Sequence, residues 1–291
     1  MAHLKKASAP SAPIDLWDYG SFDDELRQVL EPHRQLIRDY FETDRAIFLS
    51  HDLGRGPGRS PIRPDNPHAG AYYGLLDEVN ELMLVRTIRA YHYTRLIDQE
   101  VEDLHRSGIH LSTPETLQHR LDALVALGQL LAADAEVLFT KSPFQSEQRQ
   151  GRTGKLWMTS HPVSVEDGGV VPLMERWGGE VASFWLRDRQ LSSSLAEIGT
   201  ARVIEIAAPL ANTCHAHSAA TAAVATFGRT VGAIPVKSDF DLYANAPLEP
   251  DSVLAVHTEG DATFAAIGKS YPPGYIDVDN GRWKELTGED D

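Results

Sequence analysis

Residues 90–113 read AYHYTRLIDQEVEDLHRSGIHLST, and they hold the most chemically suggestive spacing in the chain. If the first part is a strand, His92 and Thr94 point to one face, and Tyr91, Tyr93 and Arg95 to the other. A neutral imidazole beside a hydroxyl can donate to and accept from the hydroxyls of a ribose. The simpler reading is a strand histidine whose nitrogens are satisfied inside the fold. Arg86, Arg89 and Arg95 stand within ten residues of one another. They read either as solvated surface charge or as a cluster facing phosphate.

Three acids are candidates for charge stabilisation. Glu180 follows two glycines in RWGGEVASF (176–184), where Gly178 and Gly179 permit a sharp change of direction. Its carboxylate is read equally as a catalytic acid or ribose ligand and as a capping acid. Asp239 and Asp241, in DFDLYANAPL (239–248), share one face if that stretch is a strand. Other constellations are weaker. In CHAHS (214–218) the two histidines are two residues apart, which in a helix puts them on different faces, so no metal site is expected. Cys214 is the single cysteine, which excludes a disulfide framework and thiolate zinc sites. No Gly-x-Ser-x-Gly elbow occurs. GRGPGRSP (54–61) lacks the Gly-Lys-Ser/Thr ending of a phosphate-binding loop.

The elements that must position these groups follow from patterning. Ser21 and the acids after it suggest a helix start, and Pro32 a second start or a kink. Residues 54–70, with four Gly and four Pro, read as a long flexible loop. Residues 72–85 read as a helix and 86–94 as a strand. Asp98 opens a short helix that stops at Gly108, and Thr113-Pro114 caps the next, with Leu117, Leu121 and Leu124 on one stripe. Strands are expected at about 154–160, 202–208, 238–245 and 252–258, a helix broken near Gly178–Gly179, and a small-residue helix over 214–227 closed by Gly228. Trp177 and Trp185 read as core. Helices first, then strands mixed with helices, make an α+β fold.

The order of these pieces resembles the histidine-type NAD-dependent ADP-ribosyltransferases, which include DNA-modifying toxins, rifampicin-inactivating enzymes and the related RNA 2′-phosphotransferases. The match runs over roughly residues 88–260: YHYT, then a hinge helix and GIHLS; GKLWMTS (154–160); and DFDLYANAPLEPDSVLAV (239–256). That resemblance implies a split β-sheet with a cleft over 88–291, after a disordered tail (1–13) and a helical region with the Pro/Gly/Arg loop (14–87). It implies NAD as substrate, its ribose held by His92 and Thr94, its pyrophosphate by Arg95 or Arg89, and its nicotinamide flanked by Trp157 and Ser160. The catalytic acid it implies is Asp239, with Asp241 and Glu180 as rivals; the sequence carries Asp where the family usually has Glu. The implied reaction is ADP-ribose transfer to an unidentified acceptor. Alternatives are a non-catalytic interaction module with a degenerate form of the same fold, an NAD-hydrolysing enzyme or an RNA phosphotransferase-like enzyme. A toxin-like role implies a protein partner such as an antitoxin.

Composition limits the partners. Among 291 residues, 27 basic and 42 acidic side chains give a net charge of −15. A chain so charged repels polyanions, which disfavours nonspecific nucleic-acid binding. Met1–Pro13 carries Lys5 and Lys6 with no apolar stretch behind them, and no apolar run approaches a membrane span. The expectation is a soluble, cytoplasmic protein without a membrane partner.

Overall fold

The computed structural model describes residues 12–52, 62–184, 186–236 and 238–269. The expected tail up to residue 11, the GRGPGRSP stretch and Trp185 lie outside these. In chain order the elements are α1 (Asp24–Leu30), α2 (Arg34–Ile47), α3 (Ala69–Met83), β1 (Thr87–Leu96), α4 (Asp98–Ser107), α5 (Pro114–Ala126) and α6 (Ala132–Lys141). They continue with α7 (Arg149–Arg152), β2 (Leu156–Thr159), α8 (Val171–Met174), α9 (Gly179–Ser183) and α10 (Arg189–Ala196). The chain then forms β3 (Thr200–Pro209), α11 (Ala216–Thr230), β4 (Asp241–Ala244), β5 (Val253–Thr258) and α12 (Ala262–Ala266). None of the helices is long and apolar enough to cross a membrane among the described residues.

The chain divides into two compact units, one from the described parts of 12–88 and 215–239, the other from 89–214 and 240–269. The first unit is helical. Asp23, not Ser21, caps α1, because its carboxylate accepts from the Leu26 amide at 2.8 Å. Pro32 sits in a 3-10 turn between α1 and α2, as its missing N–H requires. The small-residue helix α11 runs through Gly228 instead of stopping there. A Cβ on Gly228 would lie 3.0 Å from the Phe41 ring, so glycine here serves a close helix approach. Arg86, at 7% exposure, is no surface cation: it makes a bidentate pair with Asp23 (2.7 and 3.0 Å) and bonds Glu25 at 2.8 Å. The three-arginine cluster facing phosphate is therefore not what this segment forms.

The second unit is α+β. Its five strands join one open antiparallel sheet in the order β4-β2-β1-β3-β5. β2 and β4 register over four pairs and β3 and β5 over five, but β1 and β2 register at a single pair, Tyr91↔Thr159. The sheet is therefore narrow in its hydrogen bonding where β1 meets β2. One of its faces is covered by Tyr91, Tyr93, Ala201 and Val203 packing with Val170, Met174, Phe264 and Ile267. A second core gathers Ile97, the α5 stripe Leu117, Leu121 and Leu124, Trp177 and Leu195.

Two glycines fix how α4 and β3 meet their neighbours. Gly108 ends α4 at φ 78°, and a Cβ there would lie 2.1 Å from the Leu248 carbonyl oxygen. Gly199, at φ 70°, brings the start of β3 against Leu96, where a Cβ would meet that carbonyl oxygen at 2.5 Å. Both positions need a residue without a side chain.

Candidate functional site

The site is built outward from His92. Its Nδ1 donates to the Trp157 carbonyl at 2.8 Å, just past the single registered pair of β1 and β2. The imidazole thus takes a carbonyl that a longer β1–β2 ladder would use. This bond fixes the proton on Nδ1 and leaves Nε2 as an acceptor in the neutral ring. Burial lowers the His92 pKa, the Trp157 bond works against that, and the nearby Arg120 charge lowers it further. The ring is therefore neutral at pH 7. Thr94, on the same face by strand alternation, is buried.

Arg120 and Glu100 were not singled out from the sequence. Glu100 accepts from the Arg120 Nε at 2.6 Å, from the Trp177 indole at 3.0 Å and from the Ile97 amide at 3.0 Å. The Arg120 guanidinium lies 4.6 Å over the fully buried Trp177 ring. Its Nη2 is buried and has no hydrogen-bond partner among the described residues. The available signal was weak: Glu100 and Arg120 are twenty positions apart on two different helices, with no local spacing rule to pair them.

The other expected site residues go elsewhere. Arg95 folds back onto the Ile198 and Met174 carbonyls at 3.0 and 3.4 Å, with Glu259 at 3.9 Å, so it braces loops. Arg89 pairs with Glu205 at 3.2 Å, and Glu205 lies 3.4 Å from His257. Ser160 is buried and its hydroxyl accepts from the Phe240 amide at 3.0 Å, clamping the approach to β4. Glu180 stands in the first turn of α9, after the left-handed Gly178, and is ion-paired with Arg152.

Register separates the remaining groups. Paired residues of antiparallel strands project to the same side. Tyr91, Thr159 and Asp241 therefore share one face, and Trp157 and Tyr243, two positions along, share it with them. His92 and Thr94 project to the opposite face. The indole of Trp157 and the imidazole of His92 thus point away from each other, although the Trp157 backbone holds the imidazole. Asp239 is exposed and precedes the strand, so the condition under which it would share a face with Asp241, a strand through both, is not met. Asp239 also belongs to the first unit.

No protein-family model, curated protein or solved structure matches this chain.

Proposed function

We propose that the second unit binds NAD at His92 and transfers its ADP-ribose to an acceptor, releasing nicotinamide. The observation that carries this reading is the His92 tautomer. A neutral imidazole with Nδ1 tied to the Trp157 carbonyl offers Nε2 as a fixed acceptor for a ribose hydroxyl, beside the Thr94 hydroxyl. Arg120 takes the pyrophosphate role in place of Arg89, which pairs with Glu205, and of Arg95, which folds onto the Ile198 carbonyl: its Nη2 has no hydrogen-bond partner among the described residues and its charge acts on His92.

Departure of nicotinamide builds positive charge on the ribose, and an unengaged carboxylate must face it. Within this reading Glu180 serves, once it exchanges Arg152 for the substrate. One observation favours a second reading, a non-catalytic module that binds a nucleotide or protein partner through the same fold. The carboxylate nearest in the Arg120 cluster, Glu100, is fully engaged by Arg120, Trp177 and Ile97.

Nicotinamide release from NAD by the purified protein, with and without cell lysate as a source of acceptor, separates the two. Transfer predicts release that falls by about 10²–10⁴-fold in Glu180→Gln, with NAD affinity retained. The same loss in Asp241→Asn or Asp239→Asn would move the catalytic role to that acid. Release without lysate would make the protein an NAD hydrolase. NAD binding without release supports the module as a nucleotide binder, and absence of both release and NAD binding overturns the transfer reading and leaves the module as a binder of a protein partner.

A further inference from the structure

A second site is drawn by Trp157, Tyr243 and Lys155, on the sheet face away from His92. Trp157 and Tyr243 are directly paired across β2 and β4, with ring centroids 4.9 Å apart and planes tilted by 56°. The indole N–H donates to the Gly151 carbonyl at 3.2 Å, which fixes the ring's orientation. The Tyr243 hydroxyl hydrogen-bonds Cys214, and the electrostatic influence and hydrogen bond of that neighbour raise the phenol's pKa. The Lys155 ammonium lies 4.4 Å from the Tyr243 ring centre and 5.7 Å from that of Trp157.

Such a cross-strand pair steadies the edge of the sheet, yet Trp157 stays 38% exposed. An indole fixed by the Gly151 carbonyl and Tyr243 and still partly exposed is a surface made ready for a flat ring, because stacking on it immobilises little further. The adjacent ammonium selects for a ligand carrying negative charge. The geometry points to a nucleotide-binding site here, with a base stacked on Trp157 and its phosphate on Lys155. The chain's net charge of −15 opposes a polyanion more strongly than a single nucleotide, so the occupant is a free nucleotide and not a nucleic-acid strand. This site is independent of the NAD reading, since it shares no side chain with His92, Thr94 or Arg120.

Calorimetric titration of the full chain with GMP, which is not a part of NAD, tests it. Wild type should bind, and Trp157→Leu should weaken binding about five- to a hundred-fold, the range of a lost base–aromatic stack. Lys155→Gln should weaken it about two- to fivefold and flatten its salt dependence. Should Trp157→Leu fail to fold, quenching of wild-type tryptophan fluorescence by GMP, reduced in Lys155→Gln, carries the same test. The proposal is overturned by absence of GMP binding up to millimolar concentration or by unchanged affinity in folded Trp157→Leu. It is also overturned if a single-stranded oligonucleotide binds at Trp157 and GMP does not displace it.

Discussion

The imidazole of His92 closes onto the backbone of Trp157 at 2.8 Å at the place where β1 and β2 stop pairing. One side chain thereby does three things. It satisfies a strand carbonyl, bridges the two parts of the sheet beside their single registered pair, and presents Nε2 with a defined role. Because burial and the Arg120 charge hold this ring neutral, its behaviour with pH follows directly.

The folded pKa of His92 lies below its ordinary value, so between the two the unfolded chain binds more protons than the folded one. Stability is therefore full above about pH 6.5 and decreases as pH falls through that window. On the proposed reading, NAD affinity should fall as pH drops through the lowered folded pKa, since protonation converts Nε2 from acceptor to donor. Titrations at pH 8, 6.5 and 5 should show weakening on the acid side, and His92→Gln should lack that step. An affinity that improves on acidification would contradict the assigned tautomer.

Arg86 anchors the first unit through buried charge. Replacing it with Met leaves Asp23 partly buried without its cation. Since Asp23 and Glu25 remain partly solvated, the expected loss is about 2–3 kcal/mol, below that of a fully buried pair. Burial acts to raise the Asp23 carboxyl, but the Arg86 and Leu26 bonds outweigh it and hold its pKa below the usual value. The stabilisation is thus present above the unfolded carboxylate range and is lost as pH falls through the folded pKa. Urea denaturation of wild type and Arg86→Met at pH 7 and pH 3 should converge on the acid side.

Glu100→Ala should destabilise the second unit by about 2–3 kcal/mol, because it strips the Trp177 indole N–H of its partner inside the core and leaves Arg120 unpaired. Glu100→Gln keeps an oxygen for Trp177 and Ile97 and should cost about 1 kcal/mol. Denaturant midpoints distinguish the two. Equal midpoints for Glu100→Ala and wild type would show that the cluster adds nothing to stability.

Gly108→Ala should cost about 2 kcal/mol or more, since the left-handed φ and the 2.1 Å approach to Leu248 both oppose a Cβ. Gly128→Ala is the control: its φ of 68° carries the backbone strain, but nothing lies within 4 Å of its Cβ. Thermal melting of both variants should show the larger loss at Gly108.

The α+β class, the Thr113-Pro114 helix start, the Gly108 stop and the α5 stripe were legible because each depends on residues within a turn or two. Local sterics and periodicity act at that range and leave a pattern in the text. Even the short break at Gly178 could be read, as two consecutive glycines announce it. What the sequence left open were relations across distance. Arg86 reaches Asp23 across 63 positions, Arg120 joins Glu100 from another helix, and Arg95 turns to the Ile198 carbonyl 103 residues on. The neighbouring Arg86, Arg89 and Arg95 therefore acquire unrelated partners: Asp23, Glu205 and the Ile198 carbonyl. The same holds for strand register: a two-residue period tells that His92 and Tyr91 oppose each other, but only the Tyr91↔Thr159 pairing puts Trp157 and Asp241 on the face away from His92. A charged group is committed by the nearest opposite charge or carbonyl in space, and a strand's face by its neighbour, so both are decided only when the chain has closed on itself.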